Sequence, residues 1–421
     1  MAARLGGALS PSPAEADRRL LLGAAALRAV ATSLVGVLLG IHLAQVGLRT
    51  SEIGVVAAAG LAGSALAAVI VTVGADRFGR RRTLVALSAA SAVGGSAFLM
   101  ASSAWLCGVA AFLGMLNAMG RDRGGSSIVE QALLPSTTTD ERRTMAFAWY
   151  SALQDGGHAV GSLLAGLPTL LQSAGGLGPL PSSRLTLALF PSLSLVVLAL
   201  YLRVSPAVEI AETSRRSLSP GARTILWKIS SLFAIDGIGG GLLVTTLLSY
   251  FFFERFGASA LSIALLFFLA RLANLVSHFA AAWLARRIGL VNTMVFTHIP
   301  SSLVLVLVAF APTYAVAATL FLVRAALVEM DVPTRQSYVM AVVAPEERTT
   351  VSGVTNLVRL ATWAIGPVLA GLAMEHASLA APLVLGAGVK ILYDLLLFAA
   401  FRRLRPPEER TASRDVAGRP V

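Results

Sequence analysis

The chain has 421 residues, of which 56% are hydrophobic and only 13% are charged, and its mean hydropathy is +0.76. A soluble protein of this length carries about 25% charged residues, so the composition excludes an ordinary soluble domain and predicts a polytopic membrane protein. The formal net charge of +12 at pH 7 would suggest nucleic acid in a soluble protein. Here the arginines concentrate in every second loop between apolar runs, which is the positive-inside pattern, and we expect no nucleic-acid partner.

Twelve apolar runs are long enough to cross a hydrocarbon core of about 30 Å, which takes about 20 helical residues. They predict an all-α membrane protein with 12 transmembrane helices in the cell (inner) membrane and both termini in the cytoplasm. Two of the runs, 104–134 and 314–343, are longer than a straight span needs, and each is predicted as one helix protruding into the cytoplasm. The runs are 20–44, 52–74, 84–102, 104–134, 143–171, 184–203, 226–252, 259–283, 293–312, 314–343, 350–374 and 381–401.

Three negative features narrow the class further. Cys107 is the only cysteine, so no intramolecular disulfide and no cysteine metal site can form. Residues 1–19 lack the long apolar core of a signal peptide. The chain has no phosphate-binding glycine loop followed by Lys-Ser or Lys-Thr, so we expect no cofactor and no direct ATP-driven pumping.

A polar interval at 204–224, rich in Ser, Pro and charge, divides the chain into two halves of similar length. It predicts a cytoplasmic linker between two six-helix bundles. The predicted units are a cytoplasmic tail at 1–19, a first bundle at 20–203, the linker at 204–224, a second bundle at 225–402 and a cytoplasmic tail at 403–421.

The two halves carry matching residues. Arg143-Thr144, Gly161 and Ala165-Gly166 in the first half recur in the second as Arg348-Thr349, Gly366 and Ala370-Gly371, all at one offset of 205 residues. Parallel repeats of this kind build two facing bundles around a site near the middle of the membrane.

The loop Thr72–Arg82, TVGADRFGRRR, joins two apolar runs through one acid, four arginines and two glycines. The pattern Asp76 to Arg81 resembles the loop between helices 2 and 3 of the major facilitator superfamily of secondary transporters. The resemblance extends over essentially the whole chain, and Gly289 keeps the loop glycine in the second half. It implies alternating access and a conformational latch, for which the candidates are Asp76, Arg77, Gly79, Arg80 and Arg81; simple retention of the loop in the cytoplasm is the alternative.

Further motifs of this resemblance bear on direction and coupling. Arg121 and Gly125 are similar to a helix 4 motif of proton-coupled members, and Gly366-Pro367 keeps a form typical of exporters, whereas Gly157-His158 stands where exporters show Gly-Pro. Export is therefore modestly favoured over uptake. Residues 330–349 resemble a subgroup of uncharacterised bacterial permeases.

Ionisable residues inside membrane spans are functional candidates, because an unpaired charge in lipid is costly. Asp236, Asp155 and His158 are the candidate proton carriers, and Asp155 and His158 share a helix face by their spacing. With Arg359 they would form a charged ring near the midplane, although inter-helix pairs that only hold the bundles together would leave the same signature. Asp155 and His158 could also begin a metal site, but no further His or Cys in the sequence completes one.

Other polar residues are candidates for the substrate cavity, since the resemblance places helices 1, 4, 7 and 10 around it. For Asp122 and Asp331, the alternative is that they only neutralise nearby arginines. Arg271, Asn274 and His278 share a face of a later helix, where packing and transport are equally good interpretations. The cavity candidates are Arg28, Arg121, Asp122, Arg324, Asp331, Arg335, Asn356 and Arg359.

The sequence thus predicts a secondary active transporter of a small organic molecule, not an enzyme, that acts by alternating access in the lipid bilayer as a monomer. Its expected partners are the substrate and protons. A passive facilitator and a metal or ion transporter are alternatives on the same fold. A non-transporting membrane sensor or scaffold is the alternative of another class, because fold does not fix function.

Overall fold

The computed structural model describes residues 13–206, 219–330 and 348–401, and it leaves some side chains within these ranges undescribed. The described part is helical, and its helices fall into twelve segments at the positions of the predicted apolar runs. The all-α membrane fold expected from the sequence is confirmed. Nine of the helical stretches in these ranges are long and apolar enough to cross a membrane.

Sixteen α-helices make up the described chain. They are α1 (Pro13–Val46), α2 (Thr50–Phe78), α3 (Arg80–Met100), α4 (Ala104–Gly114), α5 (Gly125–Leu133), α6 (Asp140–Leu164), α7 (Leu167–Gly175), α8 (Pro179–Leu187), α9 (Leu189–Arg203), α10 (Pro220–Leu242), α11 (Thr245–Phe256), α12 (Ala260–Ile288), α13 (Leu290–Ala309), α14 (Tyr314–Val328), α15 (Arg348–His376) and α16 (Ala381–Phe401). A 3₁₀ turn covers Leu134–Thr137.

The prediction of one continuous helix over 104–134 is wrong. Helix α4 ends at Gly114, α5 begins at Gly125, and residues 115–124 between them form an unwound segment. Met115 and Gly120 adopt left-handed backbone angles, with φ of 52° and 63°. The Asn117 side chain replaces helical hydrogen bonds: its Oδ1 accepts from the Met119 amide at 2.8 Å, and its Nδ2 donates to the Arg121 carbonyl at 2.8 Å. A side chain thus satisfies main-chain groups that a helix would have paired, as a membrane interior requires.

Other boundaries also differ from the predicted ones. The run 226–252 is interrupted between α10 and α11, where Val244 is extended. Helix α10 begins at Pro220, inside the predicted linker, and α1 begins at Pro13, inside the predicted tail. Of the predicted helix over 314–343, the structure describes α14 to Val328, and residues beyond 330 lie outside the described ranges until α15.

The repeat predicted from matching residues recurs in the packing. A Cβ added at Gly161 on α6 would collide with the Val30 carbonyl on α1, and one at Gly366 on α15 would collide with Gly241 on α10. Glycine therefore allows two helix backbones to touch at equivalent places in both halves. The turn between α2 and α3 and that between α12 and α13 are also equivalent, with Gly79 at φ 90° and Gly289 at φ 88°.

The two halves join at the end of the molecule that carries the 47–49 and 377–380 loops. The Ser51 amide donates to Glu375 Oε2 at 2.8 Å, and the Thr50 and Tyr250 hydroxyls are 3.0 Å apart. A Cβ at Gly54 would collide with the Pro367 carbonyl. On the other side of the same end, the Leu261 amide donates to Thr169 Oγ1 at 3.1 Å. Backbones of α2 and α15 therefore close this end of the interface.

Candidate functional site

A cavity of about 150 Å³ lies at the centre of the molecule, walled mainly by the second half and closed on one side by the unwound segment. Its volume matches a cavity that admits a benzene-sized guest. Six cationic side chains and two carboxylates line it, so the described walls carry four positive charges in excess. The charged lining residues are Arg121, Arg123, Arg271, Arg324, Arg359, Lys390, Asp236 and Glu329.

Asp236 is held between two cations. Its Oδ1 accepts from Lys390 Nζ at 3.0 Å, and its Oδ2 lies 3.7 Å from Arg359 Nη2. Asp236 is only 3% exposed. The glycines that follow it on α10 press against α15, where a Cβ at Gly237 would collide with Thr362 Oγ1. This tight packing fixes the carboxylate in the wall between α10, α15 and α16.

Ion pairs and ring contacts cross from one half to the other at this cavity. Arg121 Nη1 donates to Glu329 Oε2 at 2.9 Å. With its amide oriented to satisfy both neighbours, Asn274 accepts from Arg121 Nη2 at 3.0 Å. Arg359 and Arg123, from opposite halves, lie 4.8 Å and 5.6 Å from the ring centre of Trp363, within cation–π range. The residues that line the cavity thus also hold the halves together.

The unwound segment supplies main-chain acceptors to the second half. The Met119 carbonyl accepts from Thr245 Oγ1 at 2.8 Å, and the Gly120 carbonyl accepts from Arg271 Nη2 at 2.8 Å. The Ala118 carbonyl accepts from the Thr246 amide at 3.1 Å. The break in the fourth membrane pass therefore meets the break in the seventh, and each satisfies polar groups that the other exposes.

A second charged cluster lies inside the first half. Arg28 on α1 donates to Asp122 Oδ2 at 2.7 Å and to Glu130 Oε2 at 2.8 Å, and it also donates to the Tyr201 hydroxyl. Glu130, which is fully buried, accepts from Tyr201 at 2.6 Å and from Tyr150 at 2.9 Å. We call these five residues the first-half cluster. Arg28 and Asp122 also line a smaller cavity of about 60 Å³.

The structure separates the predicted midplane ring into parts. Asp236 and Arg359 lie together in the second half, whereas His158 is buried in the first half and accepts from the Asp122 amide at 2.9 Å. Asp155 is exposed. The four residues come from three helices, and spacing along the chain does not reveal which of those helices meet.

The predicted cavity residues are distributed between two cavities. Arg121, Arg324 and Arg359 line the central cavity, and Arg28 and Asp122 line the smaller one. Asn356 is exposed and lines neither cavity. Asp331 and Arg335 lie outside the described residues, as does the side chain of His278.

Several site residues were missed from the sequence. Glu130, Glu329 and Lys390 complete the ion pairs above, yet each is a single charge near or inside a long apolar run. His298 and Asp394 form a further buried pair, with Nδ1 and Oδ2 2.9 Å apart, and His298 reaches the cavity wall. An isolated charge in an apolar run is the signal that could have found all of them.

The described residues contain no group of three His, Cys, Asp or Glu side chains placed to hold a metal ion. The paired charges instead bind one another.

The predicted loop at 72–82 is helical except at Gly79, because α2 runs to Phe78 and α3 begins at Arg80. Arg80 and Arg81, in the first turn of α3, bind the ends of other helices. Arg81 Nη2 donates to the Leu202 carbonyl at 2.7 Å, and Arg80 Nη1 donates to the Ala132 carbonyl at 3.3 Å. Both carbonyls lie in the last turn of a helix in the first half, where a cation is favourable. The Asp76 side chain lies outside the described part, and Arg77 is exposed.

Two facing helical halves with broken spans around a charged cavity are the architecture of a secondary transporter. The sequence profile of the Major Facilitator Superfamily matches residues 21–367 of the chain. The chain belongs to the major facilitator superfamily. It is a multi-pass integral membrane transporter of that superfamily and not an enzyme.

Individual members show how far the similarity extends. An uncharacterized membrane protein of Saccharomyces cerevisiae, YJR124C, is 24% identical over 92% of this chain and 94% of its own length. The crystal structure of nucleoside transporter NupG has a TM-score of 0.72 at 13% identity, covering 91% of this chain and 99% of that one. That of a D-xylose-proton symporter has a TM-score of 0.66 at 13% identity, covering 90% and 95%. The yeast relative shows that the similarity is not specific to bacterial permeases.

Proposed function

We propose that this major facilitator transporter moves a small organic molecule by alternating access and couples the movement to protons. The observation that carries the proposal is the buried carboxylate of Asp236, clamped by Lys390 and Arg359 in the wall of the central cavity. The two cations favour the ionised carboxylate, and a change of conformation that withdraws them from the buried group favours its protonation. The D-xylose-proton symporter shares the fold with this chain, so proton coupling is compatible with it.

Protonation of Asp236 would change the forces between three helices. The ionised carboxylate holds α16 through Lys390 and α15 through Arg359, and charge-assisted contacts of this kind are the strong ones. A neutral carboxyl group releases both cations. Because α15 also packs against α2 of the first half, loosening this clamp shifts the balance between the two orientations of the halves. Asp236 is therefore the proposed proton carrier, with His158 and Asp155 as the remaining candidates.

The proposed topology assigns the closed end of the molecule to one side of the membrane. If the arginine-rich loops face the cytoplasm, both termini lie there as well, in the cell membrane. The end closed by Gly54 and Pro367 then faces the outside, and the conformation described is closed outward. We favour export, as suggested by the intact exporter form of Gly366-Pro367.

The arginine loop is proposed as the latch of the outward-facing state. Arg80 and Arg81 already bind the ends of α5 and α9, so the loop couples three helices of the first half. Asp76→Asn is expected to leave expression normal and to slow transport strongly. Transport at the wild-type rate by this variant would reduce Asp76 to an ordinary loop residue.

A screen of a strain lacking the gene tests the function. Accumulation of compounds from several chemical classes is measured with and without an uncoupler, against the same strain carrying the gene. Proton-coupled export predicts that at least one compound accumulates in the deletion strain, and that the uncoupler abolishes the difference. A difference that survives the uncoupler identifies a passive facilitator, and no difference for any compound supports a sensor or scaffold.

A further inference from the structure

The charges of the central cavity are not balanced. Four positive charges remain in excess along its described walls, although each carboxylate there is already engaged: Asp236 with Lys390 and Arg359, and Glu329 with Arg121. In a low-dielectric site an uncompensated charge is costly. A buried guanidinium that has no polar partner among the described residues keeps its N–H donors for a ligand that enters the cavity.

Two of the cavity arginines, Arg324 and Arg271, have few or no polar partners among the described residues. Arg324 on α14 is 9% exposed, and within the described residues its guanidinium makes no hydrogen bond or salt bridge; its Nε is buried without an acceptor. Arg271 on α12 donates one hydrogen bond to the Gly120 carbonyl, and its Nε is likewise buried without an acceptor in the described part of the chain. Glu329 acts on both arginines through its charge, and Asp155 acts on Arg271, but neither acid forms an ion pair with Arg324 or Arg271 in the described part of the chain. Both guanidinium groups line the cavity.

The wall around these arginines is aromatic. Phe321 lies under the Arg324 guanidinium at 5.8 Å and packs edge-on against Phe267 at 5.4 Å between ring centres. A ligand that reaches the arginines therefore also meets the rings of Phe321 and Phe267 on one wall of the cavity. The cavity volume of about 150 Å³ limits that apolar body to about one aromatic ring.

We propose that the transported molecule is a small organic anion whose carboxylate, sulfonate or phosphate group binds Arg324 and Arg271 and whose apolar body packs on Phe321 and Phe267. The planar forks of two guanidinium groups fit the oxygens of such a head group. This assignment of substrate class rests on the proposed transport function. It does not depend on which residue carries the proton.

Binding to the purified full-length protein in nanodiscs tests the assignment, because it requires no gradient. The probes are benzoate, benzenesulfonate and phenyl phosphate, compared at constant ionic strength with neutral benzamide and cationic benzylamine. We expect at least one anion to raise the melting temperature saturably, as a ligand of the native state must, while benzamide and benzylamine do not. If no anion binds, or if the neutral or cationic probe binds as tightly, the assignment is wrong.

Variants locate the site. Arg324→Gln and Arg271→Gln are each expected to weaken binding of the anion by about 10- to 100-fold, the loss of one or two charge-assisted hydrogen bonds. Arg203→Gln, on an exposed arginine at the end of α9, is the matched control and should bind as the wild type does. Unchanged affinity in both cavity variants overturns the proposal.

The arms of the test separate this inference from the proposed function. If Arg324→Gln does not fold, Arg324→Lys keeps the charge, loses the planar fork and should give an intermediate affinity. Anion binding combined with uncoupler-insensitive transport would refute proton coupling alone. Uncoupler-sensitive transport of a compound without any anion binding would refute the substrate class alone.

Discussion

Two arginines in the interior of this transporter have opposite surroundings. Arg28 in the first half binds two carboxylates and a tyrosine hydroxyl, whereas Arg324 in the second half has no polar partner among the described residues. Both are largely buried. The comparison teaches that burial of a charge does not by itself indicate its role: a saturated network holds helices in place, and an unsaturated one has capacity left for a ligand.

The two regions also differ in which parts of the molecule they connect. The first-half cluster joins α1, α5, α6 and α9 through Arg28, Glu130, Tyr150 and Tyr201, all within one half. The cavity wall joins the halves through Arg121–Glu329 and through Trp363. A network confined to one half can move as a rigid unit, whereas contacts between halves must break when the transporter changes conformation.

The largest expected effect on stability is in the first-half cluster, where the buried charges are paired. Arg28→Gln leaves Asp122 and Glu130 buried together without a cation, and breaking a buried pair in this way costs about 3–5 kcal/mol. We expect the variant to be poorly folded in a fluorescence size-exclusion assay in detergent. Arg203→Gln serves as the control, and a wild-type profile for Arg28→Gln would mean that the first-half cluster does not hold the bundle.

Asp236 in the second half resembles the first-half cluster, because it is a buried carboxylate paired with cations. Asp236→Asn removes the carboxylate from Lys390 and Arg359, with an expected loss of about 3 kcal/mol. The surviving protein should lose gradient-driven transport and keep substrate exchange. Asp236→Asn combined with Lys390→Met should recover the melting temperature without recovering coupling. Gradient-driven transport at the wild-type level would move the proton site to Asp155 and His158.

A smaller effect distinguishes the hydrogen bonds of the first-half cluster from its ion pairs. Tyr201→Phe removes the hydroxyl that donates to Glu130 and accepts from Arg28, while both charges keep other partners. The expected loss is about 1–2 kcal/mol, seen as a moderate fall in melting temperature. Transport should stay close to normal, and abolished transport in a stable variant would assign the cluster to the mechanism.

The smallest effect on stability is expected at Arg324, which has no polar partner among the described residues. Arg324→Gln removes a buried charge that has no polar partner in the described structure, so the melting temperature of the empty protein should be unchanged or raised within about 0.5 kcal/mol of stability. The same substitution at Arg28 is severe. If Arg324→Gln destabilises as strongly as Arg28→Gln, the contrast between the two regions fails.

Much of the fold could be predicted because hydropathy and glycine spacing report directly on it. The run 52–74 corresponds to α2, and the matched Gly161 and Gly366 mark equivalent helix crossings in the structure. The unwound segment could not be predicted, since residues 115–120 are as apolar as a helix and the break depends on the Asn117 side chain and on acceptors used by the other half.

Only some members of the candidate site could be predicted, and their pairing could not. Arg121, Arg324 and Asp236 were identified as buried charges, but their partners depend on which helices meet in three dimensions. Lys390 and Glu329 are single charges whose importance comes from the residue opposite. The surplus of positive charge among the described walls follows from which residues line the cavity, whereas the arginines and acids of the sequence candidates are nearly balanced.

The contact between the two broken spans has a consequence for biogenesis. The donors that pair with the carbonyls of Met119 and Gly120 lie 126 and 151 residues later in the chain and are synthesised after them. At a synthesis rate of about 5–20 residues per second, the delay is about 6–30 s. During that time the fourth span sits in or beside the bilayer with main-chain groups that lipid cannot satisfy. The first half alone lacks these donors, so a chain truncated after α9 is expected to be less stable in the membrane than the full chain.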